Sequence, residues 1–239
     1  MKLLAFDTST ETLSIAVSAG GGAPVLEHSA PGGAQASAAL IPAVQDLLAR
    51  AGLRLEELDA IAFGRGPGSF TGLRTAAAVA QGLGFGAGVP VLAIDTLLAV
   101  AEEARGLAGT ERVVAVLDAR MDEVYFARYE RVDGRWQTQQ APALGRPEDV
   151  ALPAGWTLAG NAVQLHDARL PAGERVIALP TARALLRLAP AELASGAAHG
   201  AAQALPLYIR DKVAQTTEER AAERARKEML RGESVAKPT

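Results

Sequence analysis

Residues 3–17 read LLAFDTSTETLSIAV: an apolar run that ends at Asp7, a polar turn, and a second run that alternates and is rich in β-forming residues. Runs of this kind predict two strands, and the short turn between them predicts a hairpin. Residues 113–128, VVAVLDARMDEVYFAR, repeat the pattern with Asp118 in the place of Asp7. The repeat indicates two related lobes, although two unrelated hairpins could also resemble each other by chance.

The segments that follow the first hairpin predict alternating strands and helices. Up to about residue 105 the predicted order is βββαβαβα, so we expect an α/β protein with mixed sheets: antiparallel within the hairpins and parallel through right-handed crossovers. The predicted strands are 2–6, 12–18, 25–30, 58–64 and 89–95, and the predicted helices are 37–52, 71–87 and 96–107.

The second half of the chain is less regular. After residue 130 the sequence predicts a turn at 133–137, a strand and helix start at 156–163, a strand at 174–180, a helix at 181–195 that Pro190 kinks or divides, and an extended segment at 205–210. The expected domains are an N-terminal lobe with partner-binding helices (1–105), a smaller second lobe (106–212) and a tail (213–239). The tail is charged on all faces, which is typical of a solvated helix or a disordered segment.

Composition excludes several classes of protein. Hydrophobic residues make up 49% of the 239 residues, enough for a sizeable core. No apolar run approaches the ~20 residues that span a bilayer, and the N-terminal run is too short for a signal peptide. The chain has no cysteine, so disulfides and thiolate metal sites are excluded. A net charge of −3 argues against broad binding of a nucleic-acid backbone by this chain alone. We therefore expect a cytoplasmic protein with no membrane association.

A glycine-rich stretch, GRGPGSFTGLR at 64–74, lies between a predicted strand and a predicted helix. Its spacing is neither that of a Walker loop nor G-x-G-x-x-G. Backbone N–H groups at the start of the helix could still bind an anion. The candidate phosphate or nucleotide contacts in this stretch are Arg65, Gly66, Gly68 and Ser69.

The two repeated aspartates, Asp7 and Asp118, are further candidates for phosphate contact. Two lobes that each begin with a strand, an aspartate and a hairpin are typical of actin-like ATPases and sugar kinases, where such turns face each other across a phosphate-binding cleft. An aspartate at a turn can equally stabilise that turn by accepting backbone N–H bonds. The sequence leaves both interpretations open.

The helix at 71–87 has small residues at four-residue steps, and glycine within a helix costs ~1 kcal/mol relative to alanine. Close approach of another backbone explains such a pattern. The neighbour is either the protein's own sheet or a partner subunit. The proposed partner interface consists of Leu73, Ala76, Ala80 and Gly84.

No catalytic or metal-binding set is visible in the sequence. The three histidines, His28, His166 and His199, are far apart, and none is spaced for a metal or paired with a nucleophilic serine. We expect each histidine to be satisfied within the fold or exposed, and we predict no catalytic residues and no metal ligands.

The stretch at 64–74, together with LLAFDTSTE at 3–11, LDARMDEVYFARY at 117–129 and LPLYIR at 205–210, resembles the TsaB (YeaZ) family in order along residues 1–212. The G-P-G-S-F-T-G-[LV]-R pattern is highly specific. The resemblance implies a two-lobed actin-like ATPase fold (ASKHA, a duplicated RNase H-like fold). It also implies a subunit of the complex that transfers a threonylcarbamoyl group to the tRNA adenosine next to the anticodon.

The resemblance implies that this chain is not the enzyme of that complex. TsaD, the related tRNA-modifying enzyme, carries a metal-binding H-x-x-x-H where this sequence has Thr96 and Val100, which cannot bind a metal usefully. We therefore expect a non-catalytic scaffold or activator subunit. Many relatives also have a histidine at about the place where Ala36 stands, and this chain lacks that side chain.

The partners implied by the resemblance are TsaD, as a heterodimer, and the ATPase TsaE. We expect a homodimer when the chain is alone, and tRNA contact mainly through the complex. No cofactor is expected to bind tightly, but ATP or ADP with magnesium could lie at the junction with TsaD.

The alternative from another class is a small-molecule kinase of the actin-like superfamily, with Asp7 as a metal contact and Asp118 as a phosphate contact or base. ATP turnover without TsaD would favour it. A glycoprotease is disfavoured because the sequence has neither a zinc motif nor a catalytic triad.

Overall fold

The computed structural model describes residues 1–210; the predicted charged tail at 213–239 lies outside the described residues. The strands are β1 Leu3–Asp7, β2 Thr12–Ser18, β3 Leu26–Pro31, β4 Ala60–Gly66, β5 Val91–Asp95, β6 Arg112–Asp118, β7 Val124–Val132, β8 Arg135–Gly145, β9 Thr157–Ala159 and β10 Arg175–Val176. The α-helices are α1 Ala36–Arg50, α2 Phe70–Ala87, α3 Thr96–Ala108, α4 Ala162–Leu165 and α5 Ala182–Ala194.

The first sheet has the strand order β3-β2-β1-β4-β5. The hairpin strands β1, β2 and β3 pair antiparallel, whereas β4 joins β1 and β5 joins β4 in parallel. Parallel neighbours require crossovers, and α1 and α2 supply them. The predicted order βββαβαβα and the predicted strand directions are therefore confirmed.

The second sheet repeats the first strand for strand. Its order is β8-β7-β6-β9-β10, with β6, β7 and β8 antiparallel and β9 and β10 added in parallel. The sequence repeat therefore extends from one hairpin to all five strands. This topology confirms the predicted two-lobed, duplicated architecture with mixed sheets.

The crossovers of the second sheet are much shorter than those of the first. The connection from β3 to β4 contains the 15-residue α1, whereas that from β8 to β9 contains a three-residue 3₁₀ turn at Pro147–Asp149. The 18-residue α2 corresponds to the four-residue α4. The short crossover elements of the second sheet explain why the second half of the chain has a less regular sequence pattern.

Helix α5 belongs to the second half of the chain but packs against the first sheet. Its apolar side chains, among them Leu185 and Leu188, lie in one buried cluster with Leu3 and Ala62 of the first sheet. The opposite face of that sheet is covered by α1 and α2. The division of the chain at residue 105 stays a prediction.

Several details of the second half differ from the prediction: β8 begins within the predicted turn at 133–137, and the predicted strand at 174–180 is limited to Arg175–Val176. Strand β8, 11 residues long, was not predicted because five of its first six residues are polar and all of its residues are half-buried or exposed. Of the two predicted effects of Pro190 on α5, division is excluded because the helix continues through it; a kink there stays a prediction.

A buried carboxylate connects three elements between the two sheets. Glu102 of α3 accepts hydrogen bonds from Arg105, from Arg187 of α5 and from the indole N–H of Trp136 of β8, at 2.7–2.9 Å. Burial would raise the pKa of Glu102, but these hydrogen bonds outweigh it and hold the pKa below its ordinary value.

Among the helices of residues 1–210, none has the length and apolar character needed to cross a membrane.

Candidate functional site

Asp7, at the end of β1, is completely buried and is held by its own turn. Its Oδ1 accepts the backbone N–H of Ser9 at 2.8 Å and the Ser9 hydroxyl at 2.6 Å, and its Oδ2 faces the Thr96 hydroxyl at 3.4 Å. A Cβ on Gly64 would come within 1.7 Å of that Oδ2. The strand β4 therefore covers the carboxylate directly.

The buried position changes the acidity of this group. Burial raises the pKa of Asp7 to about 6, and the hydrogen bonds from Ser9 and Thr96 only partly offset the rise. The geometry matches the turn-stabilising interpretation of Asp7.

The glycine-rich turn packs against the turn of the first hairpin. A Cβ on Gly72 would come within 1.8 Å of the Thr8 carbonyl oxygen, and one on Gly68 within 2.5 Å of the Ser9 carbonyl oxygen. Two hydrogen bonds join the turns: Ser69 N–H donates to Ser9 O at 2.7 Å, and the Thr8 hydroxyl donates to Gly72 O at 2.6 Å. These glycines thus permit close approach of the protein's own backbone.

Arg65 and Gly66 are also engaged within the chain. Arg65 Nε donates to Asp95 Oδ1 at 2.5 Å, and the Arg65 carbonyl accepts the N–H of Leu207 at 2.7 Å. Gly66 has a φ of +116°, and a Cβ there would lie 2.7 Å from the Leu207 carbonyl oxygen. The segment around Leu207 therefore lies directly on the glycine-rich turn.

Asp118, at the end of β6, has several partners in the second lobe. Its Oδ1 is 3.2 Å from His166 Nε2 and accepts the Arg120 N–H at 3.3 Å, and its Oδ2 lies 3.3 Å from Arg120 NH1. Its backbone N–H donates to Asn161 Oδ1 at 2.9 Å. Sequence reasoning missed the pairing with His166, because 48 residues separate the two and no local pattern links them.

An ion pair joins the two hairpin turns. The guanidinium of Arg120 contacts the carboxylate of Glu11, so it bridges Glu11 of the first turn and Asp118 of the second. The repeat thus brings the two aspartate-bearing turns to face each other, as an actin-like fold predicts.

These residues do not fit a magnesium–phosphate group held by this chain alone. Asp7 is completely buried beneath Gly64, both oxygens of Asp118 have partners, and Arg120 is paired with Glu11 of the other turn. Within residues 1–210, no three histidine, aspartate or glutamate side chains are grouped so as to hold a metal ion.

The predicted partner interface on α2 needs a correction. Leu73, Ala76, Ala80 and Gly84 are all buried within the chain's own fold. A Cβ on Gly84 would already lie 3.0 Å from Ala201 and Val91. Their small size is explained by packing in this chain, so they cannot form a docking surface without unfolding it.

The opposite face of α2 is exposed. We call it the outer face of α2; its residues are Thr71, Arg74, Ala78, Gly82, Phe85 and Gly86. Phe85 is 67% exposed, and Ile41 of the neighbouring helix α1 is 41% exposed. Nothing lies within 4 Å of a Cβ built on Gly82 or Gly86. No contact among residues 1–210 therefore requires glycine at either position.

Thr96 and Val100, which stand where the resemblance places the metal ligands of TsaD, belong to the interior. Both are completely buried. The Thr96 hydroxyl accepts the N–H of Gly66 at 3.1 Å, and Val100 packs with Leu97 and Tyr129 between the two sheets.

Comparisons with known proteins agree with this architecture. A family model described as TsaD, tRNA N6-adenosine threonylcarbamoyltransferase, matches residues 27–230. The tRNA threonylcarbamoyladenosine biosynthesis protein TsaB of Escherichia coli K12 is 36% identical over 225 residues, which cover 90% of this chain and 96% of that protein. TsaB of Haemophilus influenzae is 37% identical over 229 residues, which cover 89% and 95%.

The solved structure of YeaZ from Pseudomonas aeruginosa matches with a TM-score of 0.81 and 43% identity, covering 87% of this chain and 99% of that one. The predicted resemblance is thereby confirmed over most of the chain. With nearly the full length of these relatives matched, the chain belongs to the TsaB (YeaZ) family of tRNA threonylcarbamoyladenosine biosynthesis proteins.

Proposed function

We propose that this chain is the non-catalytic partner subunit of the complex that transfers a threonylcarbamoyl group to the tRNA adenosine next to the anticodon. In that role it binds and activates TsaD, with TsaE as a further component. The observation that carries the proposal is the outer face of α2, where Gly82 and Gly86 have open space around their Cβ positions within residues 1–210 and Phe85 is 67% exposed.

The interior positions of Thr96 and Val100 support a non-catalytic role. A metal site with an open coordination position needs imidazole or carboxylate donors that reach solvent or substrate. A buried threonine already bonded to Gly66, and a valine in the core, provide neither. The catalytic metal site then belongs to TsaD.

The outer face of α2 suits close packing against another helix. Small residues let two backbones approach, and Phe85 and Ile41 supply apolar side chains of the kind that anchor interfaces. The same face would form the homodimer of the isolated chain, and TsaD would replace the second copy. A nucleotide with magnesium would lie at the junction with TsaD, where the partner contributes the missing ligands. Contact with tRNA would occur mainly through the assembled complex.

We expect Gly82→Leu and Ala78→Leu each to weaken association with TsaD by about 10- to 100-fold, since overpacking an interface by several carbon atoms costs about 1–3 kcal/mol. Neither change should unfold the isolated chain, because both positions are exposed. The matched control is Ala191→Leu, an exposed alanine on α5. Titration by calorimetry and size-exclusion chromatography would measure the effect.

A tRNA-modification assay with TsaD and TsaE tests the function itself. Omitting this chain should abolish or strongly reduce modification, and the two α2 variants should require more protein for the same rate while Ala191→Leu behaves as wild type. Full modification without the chain, or equal loss in all three variants, would count against the proposal.

A further inference from the structure

The ion pair between Glu11 and Arg120 lies where the two hairpin turns face each other. The carboxylate of Glu11, in the first turn, is held by the guanidinium of Arg120, in the second. Both side chains are largely exposed, so the pair adds little to stability as a surface salt bridge. The pair matters because the carboxylate of Glu11 occupies the guanidinium of Arg120.

Arg120 belongs to a strained segment of backbone. Arg120, Met121 and Asp122 have φ values of 61°, 54° and 65°, although none is glycine. Left-handed backbone costs such residues roughly 1–2 kcal/mol each, and strain of this kind persists only where surrounding contacts hold it.

Ion pairs hold the strained segment at both ends. Arg120 contacts Glu11 and Asp118, while Asp122 contacts Arg169, which also bonds to Glu148 at 2.5 Å. The strained turn thereby keeps the guanidinium of Arg120 between Asp118 of its own turn and Glu11 of the first hairpin.

We infer that Glu11 acts as a built-in anion: its carboxylate occupies on Arg120 the place that a phosphate-bearing ligand could take, and so blocks the binding of such ligands between the two turns. The inference does not depend on the function proposed above. It predicts that removing the charge of Glu11 while keeping its size creates a site for a small phosphorylated anion, with Arg120 as its cation.

Thermal unfolding with inorganic pyrophosphate as the probe tests this. At about 5 mM pyrophosphate and constant ionic strength, the Tm of the wild-type chain should not change. The Tm of Glu11→Gln should rise by about 3 °C, as expected for a Kd of about 0.5 mM in a domain of this size. In the double variant Glu11→Gln/Arg120→Gln the rise should disappear.

The control is Glu130→Gln, which releases Arg112 of β6 from its ion pair with Glu130 of β7, at 2.8 Å and away from the two hairpin turns. Pyrophosphate should not change the Tm of this variant, because the released Arg112 does not lie between two facing turns. The inference fails if Glu11→Gln does not respond, if the wild-type chain responds equally, or if the response survives loss of Arg120. Circular dichroism of each variant verifies that the fold is intact.

Discussion

Replacing Gly64 by alanine is expected to lower the free energy of unfolding by about 3 kcal/mol, at the upper end of what overpacking a core costs. The added Cβ would lie 1.7 Å from Oδ2 of Asp7 and 2.8 Å from its Cγ. The carboxylate of Asp7 cannot move away easily, because it is hydrogen-bonded to Ser9 and the residue is completely buried. Urea denaturation of the purified chain would measure the loss.

Two further variants make this result specific. Gly82→Ala, in a helix with open space around its Cβ, should gain up to about 1 kcal/mol from helix propensity. In a double-mutant cycle, Gly64→Ala should cost much less in the presence of Asp7→Ala, because the clashing carboxylate is gone. If the losses of unfolding free energy in the two single variants simply add in the double variant, the Cβ at position 64 does not clash with the Asp7 carboxylate.

Replacing Asp7 by asparagine is expected to stabilise the chain at pH 8 by up to about 3 kcal/mol, the equivalent of a pKa shift of about two units. Burial raises the pKa of Asp7 from 3.8 to about 6. Because the folded-state pKa exceeds the unfolded one, the stabilisation by protonated Asp7 is fully present below about pH 4 and is lost as the pH rises through 6.

Asparagine stays neutral over this range and preserves the local hydrogen bonds. Its Oδ1 can accept both bonds from Ser9, and its Nδ2 can donate to the Thr96 hydroxyl. Urea unfolding at pH 4 and pH 8 should give similar stabilities for the two proteins at pH 4 and a clear gain for the variant at pH 8. A less stable variant at pH 8 would mean that the charge of Asp7 contributes to folding.

The hairpins and crossovers of the first lobe were predictable because each element carries its own signal. Strands β1 and β2 show an apolar or alternating run, and an aspartate marks the end of both β1 and β6. Strand β8 shows no such signal, since it is an edge strand whose polar side chains face solvent on much of its length. The position of α5 on the first sheet depends on long-range packing, which no local pattern encodes.

The small residues of α2 predicted close packing correctly but did not identify the face. Glycine and alanine occur both on the buried side, at Ala80 and Gly84, and on the exposed side, at Ala78 and Gly82. With so little contrast in hydrophobicity around the helix, the pattern could not separate packing within the chain from a surface for a partner. The structure distinguishes the two sides of the helix: a Cβ on Gly84 would contact Ala201 and Val91, whereas a Cβ on Gly82 would have no neighbour within 4 Å.

The return of the chain to its first sheet has a consequence for synthesis on the ribosome. One face of the sheet built by the earliest residues is covered mainly by α5, with a smaller contribution from α3, and the segment around Leu207, near the far end of the described chain, packs on the glycine-rich turn. A nascent chain that has produced only its first lobe therefore exposes apolar surface around Ala5 and Ala62. Such surface favours aggregation or chaperone binding until late translation, so the two halves mature together rather than in succession.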